Sequence, residues 1–213
     1  MSVRLFALIL FVLSSAPHGI SAARENQSIA LCANDASGLY LAATIDVSSG
    51  PEGLRLRGRG QGDFSLAADR SSLNFKIQDF ANPYAYLLWE PTGRALALNY
   101  SSGGAIGAWH VRVFTLDKGE PREITSNLAP VTADFKSRHS CEARPNNLTA
   151  LKWLDASRLL LMAEVYPTSD CGVQMGQVEG FVVSVDHGNI ERRFTFEQLK
   201  RFPGLCFANS ESR

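Results

Sequence analysis

One apolar pattern occurs twice in this chain. Residues 84–100 read YAYLLWEPTGRALALNY and residues 149–166 read TALKWLDASRLLLMAEVY. In each copy an apolar run ends in Trp, a short polar turn containing Arg follows, and a second apolar run ends in Tyr; Trp89 thus corresponds to Trp153. Short apolar runs bounded by turn residues are typical of strands, so each copy predicts an antiparallel hairpin.

Each copy continues into a further strand-turn-strand pattern, at residues 111–125 and 181–195. The sequence therefore predicts an all-β chain with two antiparallel four-stranded units, at about 84–125 and 149–195. A divergent third unit is predicted in residues 39–80.

In that third unit, several segments have the composition or the alternation of strands. These segments are 39–47, 54–59, 64–68 and 73–77. The last two flank a cluster of turn residues, which predicts a hairpin.

A short helix is predicted at the C-terminal end of the second unit. Thr195 and Gln198 have the spacing of a capping box, and Phe194 and Leu199 that of a hydrophobic staple. The long polar connection at about 126–147 is predicted to be a loop, so this is the one helix that the sequence predicts in the mature chain.

The segment from Trp89 to Arg94 resembles the Trp-Ser-Pro-Asp-Gly-Lys/Arg turn of TolB-type β-propeller blades, and the resemblance extends over residues 84–195. The second copy lacks the Pro and the Gly of this turn. The resemblance implies blade-like sheets. The two copies are, however, further apart than the about 40–45 residues of a blade, and the chain accommodates fewer units than the about four of a closed propeller. A propeller-like array and another stacked-sheet fold both stay open.

Residues 1–23 have the features of a secretory signal peptide. Arg4 precedes an apolar run from Leu5 to Leu13, and small residues at 21–23 supply a cleavage site. A membrane anchor is the alternative, but this run is shorter than the about 20 residues that span a bilayer. We therefore expect a single exported domain, 24–213, that is periplasmic or extracellular. Arginine outnumbers lysine, which favours a bacterial origin.

The charge balance argues against nucleic acid as a partner. The chain contains 21 Lys and Arg against 21 Asp and Glu, whereas nucleic-acid binding draws its affinity from excess positive charge. Motifs for a cofactor, a phosphate cradle or a catalytic nucleophile are missing from the sequence. We expect no cofactor.

Four cysteines predict two disulfides in an oxidising compartment. Cys141 and Cys171 are equally distant in sequence from Ala156, the centre of the second hairpin, so antiparallel pairing would bring them together. Cys32 and Cys206 then pair by elimination. The alternative, a metal site, lacks the usual Cys-x-x-Cys spacing.

One local cluster of a histidine with carboxylates is present. It consists of His139, Asp134 and Glu142, in the long connection where functional groups often lie. A solvated histidine is the interpretation that we favour. The alternative is a loop-assembled site of a secreted hydrolase or lyase.

Arg55, Arg57 and Arg59 alternate with apolar or small residues, which places them on one face of a strand. They form either a solvated edge or a surface that recognises an acidic partner. Together these features predict an exported, non-enzymatic protein that binds a protein or envelope component through its loops. An inhibitor or immunity protein is one such class.

Overall fold

The computed structural model describes nine segments of the chain. These are residues 39–41, 48–49, 55–58, 63–68, 71–76, 84–101, 108–139, 147–166 and 170–205. Several sequence-based predictions concern residues outside these segments, namely the signal peptide at 1–23, Cys32, Arg59, Cys141, Glu142 and Cys206.

Strands of the described residues form three antiparallel sheets. The first sheet contains, in order, β2 (Ser48–Ser49), β3 (Arg55–Gly58), β4 (Asp63–Ala67) and β5 (Ser72–Lys76). The second contains β1 (Leu39–Leu41), β6 (Tyr84–Trp89), β7 (Ala95–Ser101), β8 (Trp109–Asp117) and β9 (Glu120–Glu123). The third contains β10 (Asn147–Trp153), β11 (Arg158–Glu164), β12 (Val178–Ser184) and β13 (Ile190–Thr195). The predicted all-β fold of antiparallel units is confirmed, with β1 added to the second sheet.

The second sheet lies between the other two, as the side chains on the two faces of its strand β7 show. Ala95 and Ala97 pack into a core shared with the third sheet. Leu96 and Leu98, which alternate with them, pack into a core shared with the first sheet. A strand buried on both faces is continuously apolar rather than alternating. The three sheets are therefore stacked in chain order.

The two repeated tryptophans occupy corresponding positions in this stack. Trp89 ends β6 and packs against the core between the second and first sheets. Trp153 ends β10, is buried in the core between the third and second sheets, and donates a hydrogen bond from Nε1 to the carbonyl oxygen of Leu88 at 2.9 Å. Each tryptophan thus faces the preceding sheet. In β10 the pairing register shifts between Ala150 and Lys152, and this β-bulge keeps Trp153 on that face.

The predicted C-terminal helix is present as α2 (Phe196–Lys200), and both hydrogen bonds of its capping box form between Thr195 and Gln198. Leu199 is buried against the outer face of the third sheet. Gly180 on β12 permits this close packing, because a Cβ there would lie 2.8 Å from Leu199 Cδ1.

The prediction that residues 126–147 form a loop is wrong for half of that segment. A 3-10 helix at Thr125–Leu128 leads into α1 (Ala129–Arg138). Val131 and Phe135, one turn apart, are buried in the core between the second and third sheets. With so few apolar residues, α1 depends on tertiary packing more than on its own periodicity.

Cys171 is disulfide-bonded. Because its partner lies outside the described residues, the pairing of Cys141 with Cys171 and that of Cys32 with Cys206 stay predictions. Among the described residues, no helix is long and apolar enough to cross a membrane.

Candidate functional site

His139 immediately follows α1 and is 9% exposed, so it is not the solvated residue that we favoured from the sequence. Its backbone N–H donates to the carbonyl oxygen of Phe135, and its ring lies 4.3 Å from the ring of Phe135 between centroids. Its Nε2 lies 3.1 Å from Oε1 of Glu179 on β12. The carboxylate partner of His139 thus comes from a strand and not from its own connection.

Asp134, the predicted neighbour of His139, instead binds two arginines. Arg193 of β13 donates from Nε at 2.9 Å and from Nη2 at 2.6 Å, which is a bidentate contact. Arg138 donates from Nη1 at 2.6 Å. The hydrogen bonds from Arg193 and Arg138 outweigh the effect of partial burial and lower the pKa of Asp134 to about 2. Asp134 is therefore a fixed carboxylate near neutral pH.

Glu179 is held in a similar way. Arg138 donates from Nε to Oε1 at 3.2 Å and from Nη2 to Oε2. Burial raises the pKa of Glu179, but the hydrogen bonds from Arg138 and His139 outweigh it and hold that pKa below its usual value.

These five side chains form the ion-pair network: Asp134, Arg138, His139, Glu179 and Arg193. Each carboxylate is ionised and hydrogen-bonded to a guanidinium group. A general base works best with a pKa near the operating pH, and the pKa of each carboxylate is held below its usual value. The network joins α1 to β12 and β13, which is a structural arrangement. Within the described segments, no group of three His, Cys, Asp or Glu side chains could hold a metal ion.

Arg55 and Arg57 are both exposed, while Leu56 between them is buried against the second sheet. In the antiparallel register Arg57 lies beside Ser65, and Ser65 beside Asn74. The arginine face is the outer surface of the first sheet that carries the exposed residues Arg55, Arg57, Ser72 and Asn74; Ser65, between Arg57 and Asn74, is buried. The predicted alternation of β3 is confirmed, and Arg59 lies outside the described part.

Arg55 and Arg57 differ from most of the other described arginines in their ion pairing. Within the described residues, no carboxylate forms an ion pair with either of them. Five described arginines do have such partners, namely Arg112, Arg122, Arg138, Arg158 and Arg193; among the described residues Arg94, Arg192 and Arg201 form no ion pair either.

A second surface feature, the connection between β11 and β12, was not singled out from the sequence. A short 3-10 helix at Gly172–Gln174 follows Cys171 in this connection. Val173 at its centre is 87% exposed. A valine between two glycines beside a cysteine is the signal that could have drawn attention to it.

Comparisons with family models, with curated proteins and with solved structures gave no match to this chain. The resemblance to propeller blades stays a prediction, and the function has to be argued from the residues described above.

Proposed function

We propose that this protein is an exported, non-enzymatic binding protein that recognises an acidic surface on a protein or envelope partner. The signal-like sequence at 1–23 supports export. The disulfide at Cys171 gives independent support, because disulfides persist in oxidising compartments and are rare in the cytosol.

The observation that carries the proposal is the pair of exposed arginines on β3, Arg55 and Arg57. They project from the same face two residues apart, so each raises the cost of leaving the other without a counter-charge. Their cross-strand neighbours Ala67 and Ser65 have short side chains, and both arginines are exposed. A guanidinium matches a carboxylate through two parallel hydrogen bonds. The arginine face therefore suits a partner that presents aspartate or glutamate side chains.

The ion-pair network supports a binding role over a catalytic one. Of the residues predicted for a hydrolase or lyase site, His139 is hydrogen-bonded to Glu179 and Asp134 is bound by Arg193; the charge of each of these two carboxylates is neutralised within the chain. Their arrangement fixes α1 in place.

A pair of charge reversals tests the proposal. Arg57→Glu reverses a charge on the arginine face. As a matched control, Arg201→Glu reverses a charge that is also exposed and forms no ion pair within the described residues, just after α2. The immobilised full-length protein would be exposed to the envelope fraction of the cells that produce it. Retention of a stoichiometric partner would be measured at rising salt. We expect Arg57→Glu to weaken retention about tenfold or more, and the wild-type interaction to weaken with salt because exposed charges are screened.

Equal retention by both variants would refute the role of the arginine face. A turnover reaction that is lost in His139→Gln and unchanged in Arg57→Glu would favour the hydrolase or lyase instead.

A further inference from the structure

We infer that Glu164 is a proton-sensing residue that strengthens the contact between the second and third sheets as the pH falls. The inference concerns a device built into the fold and goes beyond the proposed binding function. An exported protein meets the pH of its surroundings directly, so such a residue ties the stability of the fold to that pH.

Glu164 belongs to a chain of hydrogen bonds that crosses from the third sheet to the second. It ends β11, and Asn147 lies opposite it on β10 and donates from Nδ2 to its Oε2 at 2.8 Å. Oδ1 of the same amide accepts from the N–H of Trp109 on β8 at 2.9 Å. Asn147 is 5% exposed. One buried amide thus joins the beginning of β8 to the beginning of β10, and Glu164 orients that amide.

The surroundings of Glu164 are poorly suited to a charge. Val178, its neighbour on β12, is apolar, and Met162, two residues earlier on β11, is buried in the apolar core of the outer face. Among the described residues no cation pairs with Glu164, whereas arginines bind the carboxylates of Glu123, Asp134 and Glu179. The hydrogen bond from Asn147 compensates the lost hydration of an ionised carboxylate only in part.

The charged groups of the adjoining strands are directed elsewhere. Glu179 of β12 points to the opposite face of the third sheet, toward α1. His110 of β8 lies on the face of the second sheet that is directed at the first sheet, because side chains alternate along a strand. Lys152 and Arg158 lie at the other ends of β10 and β11 from Glu164. None of them supplies the missing positive charge.

The segment after β11 and helix α2 complete the surroundings. Tyr166 follows Glu164 by two residues and lies on the same side of the chain, but its side chain is a phenol and not a cation. On α2, Glu197 and Lys200 pair with each other. Burial raises the pKa of Glu164 and outweighs the opposite effect of the hydrogen bond from Asn147. The fold therefore favours the neutral carboxyl group.

The direction of the pH effect follows from this difference. A glutamate in an unfolded chain has a pKa of about 4.3, and the folded state raises it, so the folded protein binds this proton more tightly. Ionised Glu164 therefore lowers the stability of the fold at neutral pH. This cost disappears as the pH falls through the folded-state pKa toward about 4. The carbonyl oxygen of the protonated group can still accept from Asn147, so the contact with Trp109 is kept.

Urea unfolding of the full chain between pH 4 and pH 8 tests the inference, with Glu164→Gln as the variant. Glutamine keeps the shape of the side chain and an acceptor for Asn147, but it stays neutral. We expect the urea midpoint of Glu164→Gln to exceed that of wild type at pH 7, and the difference to vanish near pH 4. Glu120→Gln is the matched control, because Glu120 is exposed on β9 and has no ion pair within the described residues. Its midpoint should follow that of wild type throughout.

Hydrogen exchange of two backbone amides in the wild-type protein locates the effect. The N–H of Trp109 bonds to Asn147, whereas the N–H of Ala150 bonds to Asn99, whose own Nδ2 returns to Ala150. Protection factors correct for the intrinsic dependence of exchange on pH. We expect the ratio of the protection factor of Trp109 to that of Ala150 to rise between pH 7 and pH 5. In Glu164→Gln the ratio should not change with pH.

The outcomes decide the inference in either direction. Equal midpoints of wild type and Glu164→Gln at every pH would overturn it. A lower midpoint of the variant at pH 7 would also overturn it, because the ionised carboxylate would then stabilise the fold. A constant ratio of the two protection factors in wild type would show that Glu164 does not act on the contact between the sheets. Each of these results leaves the proposed binding function standing, since that function is tested separately by retention of a partner in Arg57→Glu.

Discussion

Replacement of Asn99 by Ala tests how the second and third sheets are held together. Asn99 lies on β7 and is fully buried. Its Nδ2 donates to the carbonyl oxygen of Ala150 at 2.9 Å, and its Oδ1 accepts from the N–H of Ala150 at 2.7 Å. Because β10 is at the edge of the third sheet, this amide satisfies backbone groups that have no strand beside them.

The cost of the replacement follows from those two contacts. In Asn99→Ala, the N–H and the carbonyl group of Ala150 would both be buried without a partner. Each unsatisfied backbone group costs about 1–3 kcal/mol, so the free energy of unfolding should fall by about 2–6 kcal/mol. For a domain of this size the melting temperature should fall by about 10 °C.

The assay is urea unfolding followed by circular dichroism, with Asn74→Ala as the matched control. Asn74 is exposed on β5, and its replacement should change the free energy of unfolding by less than about 0.5 kcal/mol. The dependence on urea concentration should be the same in both variants, since neither changes the surface exposed on unfolding. A loss below about 1 kcal/mol in Asn99→Ala would show that the amide does not carry the contact between the two sheets.

Three further outcomes are expected. The pKa of Asp134, about 2, lies below the about 3.9 of an unfolded aspartate. The stabilisation that Asp134 supplies to the folded state is therefore present above about pH 4 and is lost as the pH falls through about 2. The difference in urea midpoint between wild type and Asp134→Asn should shrink over that range, and a constant difference would contradict the ion-pair network. Gly180→Ala should cost about 1–3 kcal/mol by overpacking, and much less in a Leu199→Ala background; an equal cost in both backgrounds would show that the clash is not with Leu199. Trp153→Ala should cost about 3–5 kcal/mol, and a near-neutral result in the same unfolding assay would exclude Trp153 from the core.

The sequence predicted features that short-range patterns determine. The apolar runs that end in tryptophan predicted β6 and β10, and the apolar runs that end in tyrosine predicted β7 and β11, because apolar runs and turn residues are local signals. The capping box of α2 is likewise encoded within four residues, from Thr195 to Gln198. The alternation of Arg55, Leu56 and Arg57 placed the arginines on one face, since successive residues of a strand point to opposite sides.

Features that depend on distant partners were not predictable in this way. Phe135 of α1 is buried because the third sheet packs over it, and Asp134 is bound by Arg193, which is 59 residues away in sequence. His139 is hydrogen-bonded to Glu179, which is 40 residues away in sequence. In the sequence, His139 has nearer acidic residues at Asp134 and Glu142, so proximity along the chain indicated the wrong carboxylate.

The stacking order determines where this protein can present a binding surface. The second sheet packs apolar side chains into a core on each of its two faces, so the side chains in those cores are unavailable to a partner. The outer face of the third sheet is covered by α2, with Leu199 at the centre of that contact. Recognition is therefore left to the outer face of the first sheet and to the connections at the strand ends.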